Sequence, residues 1–158
     1  CLRQYRYTQR LSLGTGKTYT MGLLEQLTSS SDGIVPEGLR QLFKRCSSDY
    51  NISISFCEIY MEEVYDLLCV DDRKLTIREN AQKETFVENL LKIRVGSCEE
   101  AYKLVNIGLE HRRVAEQKLN RNSSRGHALL TVYLKPNSGP ASTAKLCFVD
   151  LAGSERLK

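Results

Sequence analysis

No C-x-x-C pair occurs in this 158-residue chain, although it holds six cysteines (Cys1, Cys46, Cys57, Cys69, Cys98 and Cys147). Zinc-finger and dithiol readings therefore lose their usual spacing. Several of the cysteines sit in apolar runs, "SFCEIY" (55–60) and "KLCFVD" (145–150), so buried reduced thiols of an intracellular protein are expected rather than disulfides or metal ligands. Long hydrophobic runs are also missing: nothing approaches the ~18 apolar residues of a membrane helix, and no signal peptide opens the chain. The expectation is a soluble protein with no membrane partner. A large excess of one charge is lacking too. With 23 Lys and Arg against 19 Asp and Glu, the net charge of +4 is spread along the chain and makes no nucleic-acid footprint, though it is compatible with an acidic partner. Internal repeats are absent, and the one low-complexity tract, "TSSSDG" (28–33), has the chemistry of a surface turn. The chain begins at Cys1 rather than Met and stops just after a dense motif, so a fragment is expected.

The opening "CLRQYRYTQR" (1–10) is polar and arginine-rich, a poor candidate for a buried strand. Helices are predicted over 16–27 and over 36–48, the second with Pro36 in its first turn and Leu39, Leu42 and Phe43 at helical spacing. Then the period changes. "NISISFCEIY" (51–60) alternates β-branched and aromatic residues with polar ones, and "EEVYDLL", "LTIREN", "ETFVENL" and "KIRV" continue as short strand candidates between polar turns. Ser97 and Glu100 form an S-x-x-E capping box before Ala101, Leu104, Val105, Gly108 and Leu109, which share one face of a predicted helix from 98 to about 116. Two more strands are predicted at 127–135 and 144–153. This mixture indicates an α/β layered domain.

Three stretches carry residues suited to phosphate chemistry. In "LSLGTGKTYTM" (11–21), Gly14 and Gly16 free backbone N–H groups to turn inward, Lys17 suits the β and γ phosphates, and Thr18 offers a hydroxyl to Mg²⁺. Thr15 and Tyr19, in the same loop, complete the candidate nucleotide-binding set, but Leu11 stands where a G-x-x-x-x-G-K-[ST] loop has its first glycine. In "LCFVDLAG" (146–153), Asp150 ends an apolar strand where an acid can hold magnesium through water, and Gly153 can offer its N–H to a γ-phosphate. An exposed turn after a core strand explains Asp150 equally well when that segment is taken alone. In "NRNSSRGH" (120–127), Ser123 and Ser124 can reach a metal-bound water and Arg125 can pair with a carboxylate such as Glu155; by itself the segment also reads as a plain polar loop.

Taken in order, "GTGKTYTM" (14–21), "NRNSSRGH" (120–127) and "FVDLAGSER" (148–156) resemble the phosphate loop, switch I (N-x-x-S-S-R-S-H) and switch II (D-L-A-G-S-E) of the kinesin motor domain. "GIVPEGLRQLF", "ISFCEIYMEEVYDLL" and "LTIREN" are similar to the segments between those motifs. The resemblance implies a P-loop NTPase-type α/β fold, a central mixed β-sheet flanked by helices and incomplete at both ends. It makes 1–158 a partial motor domain, with 1–13 an atypical lead-in and 14–156 family-like.

The resemblance further implies ATP and Mg²⁺ as cofactors. Thr18, Ser124 and Asp150 would serve the metal, and Gly153 would meet the γ-phosphate. Arg125 and Glu155 would form the bridge that closes the switches. It also implies hydrolysis coupled to microtubule (tubulin) binding and movement, a place in the cytoplasm on the cytoskeleton, and a parent chain made oligomeric by a coiled coil outside this sequence. Lys83, Lys92 and Arg94 fall where the family contacts the microtubule, and they read equally as plain surface charge. Leu11, Leu13 and Gly126, the last standing where the family has serine, depart from the pattern. Gly126 is expected to loosen switch I. Leu11 and Gly126 leave open a catalytically inactive interaction module, and the generic D-x-x-G of Asp150 and Gly153 leaves open another P-loop NTPase such as a GTPase, against which "SSR" followed by "LAGSER" argues. His111 is expected on a solvated helix face, and His127 is expected to orient the switch loop.

Overall fold

The computed structural model describes residues 6–8, 17–46, 48–71, 73–118, 126–138 and 142–152. In chain order the elements are β1 (Arg6–Thr8), α1 (Lys17–Met21), α2 (Ile34–Cys46), β2 (Tyr50–Tyr60), β3 (Glu63–Asp66), β4 (Lys74–Leu75), β5 (Ile77–Glu79), β6 (Thr85–Val87), β7 (Ile93–Val95), α3 (Cys98–Lys118), β8 (His127–Pro136) and β9 (Ala144–Asp150).

The alternation in 51–60 makes β2 the spine of a mixed sheet ordered β1-β9-β8-β2-β3-β4. β8 pairs antiparallel along one edge of β2, while β7 and β3 share the other edge end to end. β9 pairs antiparallel with β8, and β1 runs parallel to β9. Because side chains directly opposite one another in a pair point to the same face, the register builds rows across three strands. Phe56, Leu130 and Phe148 form one row; Glu58, Ala128 and Asp150 form the next.

Helices α2 and α3 cover the face that carries these rows. In α2, Val35, Pro36, Leu39, Leu42 and Phe43 are buried, and Gly38 lets the helix settle on Phe148, since a Cβ at 38 would stand 2.7 Å from that ring. In α3, Ala101, Leu104 and Val105 are buried and Gly108 performs the same service for Phe56, with a Cβ there 2.3 Å from the ring. Two glycines thus set two helices on two aromatic side chains. The helices are joined by Tyr102, whose hydroxyl donates to the Pro36 carbonyl at 3.1 Å.

The α3 cap forms with a shift. Ser97 Oγ accepts from the Glu100 N–H at 3.2 Å, but the Glu100 carboxylate reaches back to the Gly96 N–H, at 2.7 Å, rather than to that of Ser97. Cys57 is buried, which pushes its thiol up to about 12, and Cys46, Cys69, Cys98 and Cys147 are half-buried free thiols.

Three expectations change. The helix predicted over 16–27 stops at Met21, because Gly22 adopts φ 74° and Gly33 packs directly against it. Leu23 and Leu27 are buried beyond the helix, and Asn106 of α3 clamps Leu27 by accepting from its N–H (2.7 Å) and donating to its carbonyl (2.9 Å). The polar lead-in contributes β1, whose pairing with β9 at the end of the sheet needs backbone groups rather than apolar side chains. His111 is not a solvated residue: it is half-buried, with Nδ1 2.9 Å from the Leu67 carbonyl oxygen.

Candidate functional site

The phosphate-loop helix and the end of the apolar strand meet. Thr18 Oγ1 donates to Asp150 Oδ2 at 3.0 Å, joining residues 132 positions apart. β9 delivers Asp150 to this point because Leu146 and Phe148, on the same face, are held by the core while the strand runs on past it. Asp150 is 4% exposed, and its Oδ1 has no hydrogen-bond partner among the described residues. A buried carboxylate oxygen without a donor is costly unless a cation or water serves it.

Two further charged groups, which the motif search does not select, complete the site. Glu58, 2% exposed, shares the row of Asp150 with Ala128 between them, and the small side chain leaves room above β8. Arg112 of α3, 7% exposed, fills that room. Its Nε donates to Glu58 Oε1 at 2.9 Å and its Nη2 to the Gly126 carbonyl at 3.1 Å, while Nη1 stands 3.8 Å from Asp150 Oδ2. Glu116, one turn along α3, lies 3.7 Å from Nε; burial raises its carboxyl above the ordinary range, against the pull of Arg112.

Both residues carry a signal in the sequence. Glu58 has the same parity as the buried Ile52, Ile54 and Phe56, and Arg112 follows Ala101, Val105 and Gly108 at helical spacing. A charge in phase with an apolar stripe marks a buried ion.

Gly126 is the first described residue of the segment that leads into β8. It is buried, its carbonyl is held by Arg112, and a Cβ there would stand 2.4 Å from Glu58 Oε1. Beside it, His127 Nδ1 accepts the N–H of Ala152 at 2.9 Å, tying the start of β8 to the segment that follows Asp150. That acceptor role needs an unprotonated Nδ1. Lys17 opens α1 next to Thr18, and Tyr19 beyond it is 75% exposed, an aromatic surface beside the site. Gly14, Thr15, Gly16, Ser123, Ser124, Arg125, Gly153 and Glu155 lie outside the described residues, as do Leu11 and Leu13. The Lys92 ammonium lies 4.7 Å from the centre of the Tyr133 ring, and Lys83 sits at φ 60° between β5 and β6.

The donor set fits a hard divalent cation: a hydroxyl and an anionic oxygen, with a second carboxylate oxygen to spare. A helix-borne hydroxyl facing a buried acid at the end of a strand paired in parallel with its neighbour fits the P-loop NTPase-type α/β fold. The comparisons with known proteins narrow that class. Residues 12–158 match the family model described as the kinesin motor domain. A kinesin heavy chain from Syncephalastrum racemosum is 36% identical over 152 residues, covering 91% of this chain and 16% of that protein. Kinesin-like protein 3 from Schizosaccharomyces pombe is 36% identical over 150 residues, covering 90% of this chain and 27% of that protein. The solved structure of a fast kinesin superposes with a TM-score of 0.81 at 34% identity, over 92% of this chain and 44% of that one. The chain belongs to the kinesin motor domain family. It spans about a sixth to a quarter of the length of these two curated relatives. Among the described residues, no helix is long and apolar enough to cross a membrane.

Proposed function

We propose that this chain is part of a microtubule motor that binds and hydrolyses Mg-ATP, in the cytoplasm on the cytoskeleton, and that its parent is oligomeric through segments beyond this sequence. The observation that carries the reading is the 3.0 Å contact of Thr18 with a buried Asp150 whose second oxygen has no donor among the described residues. Family membership supports it, and the fast kinesin of similar fold is one whose structure bears on ATPase mechanism and on interactions with microtubules.

In this reading Gly14, Thr15 and Gly16 cradle phosphates with Lys17, Tyr19 belongs to the same nucleotide-binding set, and Thr18, Ser124 and Asp150 serve the metal, with Ser123 beside them. Bound Mg²⁺ supplies neutralisation of phosphate charge. Gly153 senses the γ-phosphate, and Arg125 with Glu155 closes the site over the attacking water. His127 contributes a strut: its bond to the Ala152 N–H supports a role in orienting the switch segments.

The test is ATP and GTP binding by the full-length protein with and without Mg²⁺, followed by ATPase with and without microtubules. Mg-dependent ATP binding with turnover stimulated by microtubules is expected. Binding without turnover would establish the inactive interaction module instead, and preference for GTP would move the protein to another class of P-loop enzyme.

A further inference from the structure

A buried guanidinium and a divalent cation would both seek the carboxylate of Asp150. Arginine pairs with carboxylates through a two-pronged fork that occupies both oxygens. Here the fork is turned away. Arg112 Nη1 stands 3.8 Å from Asp150 Oδ2, outside hydrogen-bond reach, whereas Nε is 2.9 Å from Glu58 and Nη2 is 3.1 Å from the Gly126 carbonyl. Turned toward β9, the same group would take Oδ1, the oxygen that has no hydrogen-bond partner among the described residues.

Glu58 holds its Nε side. Glu58 and Asp150 project from the same row on the two strands flanking β8, and Ala128 between them leaves the guanidinium a choice of either acid. The choice is settled by room at Gly126, where a Cβ would stand 2.4 Å from Glu58 Oε1 and 2.9 Å from its Cδ. Without that side chain the Glu58 carboxylate lies where Nε meets it. Glu116, 3.7 Å from Nε, pulls in the same direction.

We propose that Glu58 is a positioning residue for the metal site: it holds Arg112 aside, so that Asp150 stays open to the Mg²⁺ that accompanies a bound nucleotide. The inference rests on the proposed function for the role of Asp150, and it adds the device that keeps that acid available. Gly126, one of the departures from the kinesin pattern, is part of the device.

The experiment titrates Mg²⁺ against a fluorescent ATP analogue on the full-length protein, comparing wild type, Glu58→Gln and the double variant Glu58→Gln with Arg112→Gln. Glu58→Gln is expected to raise the Mg²⁺ concentration for half-maximal binding by about tenfold, the usual scale for a residue that orients a metal ligand. The double variant, with no guanidinium to compete, is expected to return to the wild-type value or below it. A purely structural role predicts the reverse, equal losses with Mg²⁺ and in EDTA and a double variant worse than the single. An unchanged Mg²⁺ requirement in Glu58→Gln, or one that the second substitution fails to rescue, overturns the proposal. Should Glu58→Gln not fold alone, the double variant carries two neutral amides and decides the matter, and a requirement above wild type overturns the proposal. A wild type that binds no nucleotide under any condition removes the functional reading instead. The crystal structure of Glu58→Gln then tests the positioning directly, with Arg112 expected within hydrogen-bond distance of Asp150 and an unmoved side chain counting against it.

Discussion

Two rows of the same three strands, a single two-residue step apart, have opposite chemistry. Phe56, Leu130 and Phe148 are at most 3% exposed and meet Gly108 and Gly38 of the covering helices. Glu58, Ala128 and Asp150 are at most 4% exposed and meet Arg112. Depth of burial is the same, so the difference lies in what burial does. In the apolar row it stabilises, by about 1.5–3 kcal/mol for each large side chain. In the charged row it removes ions from water at a cost that their pairing only partly offsets, and what remains is a pair of buried carboxylates fixed around one guanidinium. The fold uses the first row to hold the second in place.

The sharpest way to break the comparison is to damage each row in turn. Phe56→Ala leaves a cavity under Gly108 and is expected to lower stability by about 3–5 kcal/mol, the same at every pH between 5 and 8, as read by urea unfolding. Arg112→Met leaves Glu58 and Asp150 buried without their guanidinium and is expected to cost roughly 3 kcal/mol near pH 7.5. Adding Glu58→Gln to Arg112→Met should recover part of that loss, because the double variant no longer buries an unpaired carboxylate at position 58. A double variant no more stable than Arg112→Met alone would mean that the charged row is not functioning as a pair of ions.

Substituting a covering glycine makes a smaller break. Alanine is the better helix former by about 1 kcal/mol, yet at position 108 its Cβ would stand 2.3 Å from the Phe56 ring, against a side chain that is fully buried and has nowhere to go. Gly108→Ala is expected to destabilise by about 1–3 kcal/mol, with Phe56 displaced in its crystal structure. A gain in stability would show that the row tolerates a wider gap than its geometry implies.

The apolar row was legible in advance and the charged one was not, for a physical reason. β2, β8, β9 and α3 are long periodic segments in which many side chains vote for the same face, so their existence and phase follow from the order of residues. Glu58 and Arg112 cast the opposing vote at one position each. A pattern search that treats charge as a mark of solvent passes over them, although each is in phase with its buried neighbours. The phosphate-loop helix was overread for the converse reason. Leu23 and Leu27 have helical spacing, but their burial comes from the Gly22–Gly33 contact and the Asn106 clamp, both set by residues distant in the chain. The pairing of β1 with β9 is a backbone matter, which the polar sequence of 6–8 neither requires nor forbids. Of the candidate site, the meeting of Thr18 with Asp150 is legible from motif order, and the counter-charge that sits behind it becomes visible only through register.

The smallest expected effect serves as a control on the whole comparison, because α3 carries the partners of both rows. Gly108 and Arg112 are one turn apart, well inside the helix, whereas the cap at Ser97 lies more than two turns before them. Ser97→Ala removes the acceptor of the Glu100 N–H and is expected to cost about 1 kcal/mol. Since Glu100 also loses its fixed place against the Gly96 N–H, amide exchange should quicken over 98–101. Protection at 108–112 should hold, because Phe56 and Glu58 anchor that stretch independently of the cap, and the Mg²⁺ requirement for nucleotide binding should stay at the wild-type value. If instead protection at 108–112 fell together with that of the first turn, α3 would be opening as one unit, and the two rows would share a fate that their opposite chemistry does not predict.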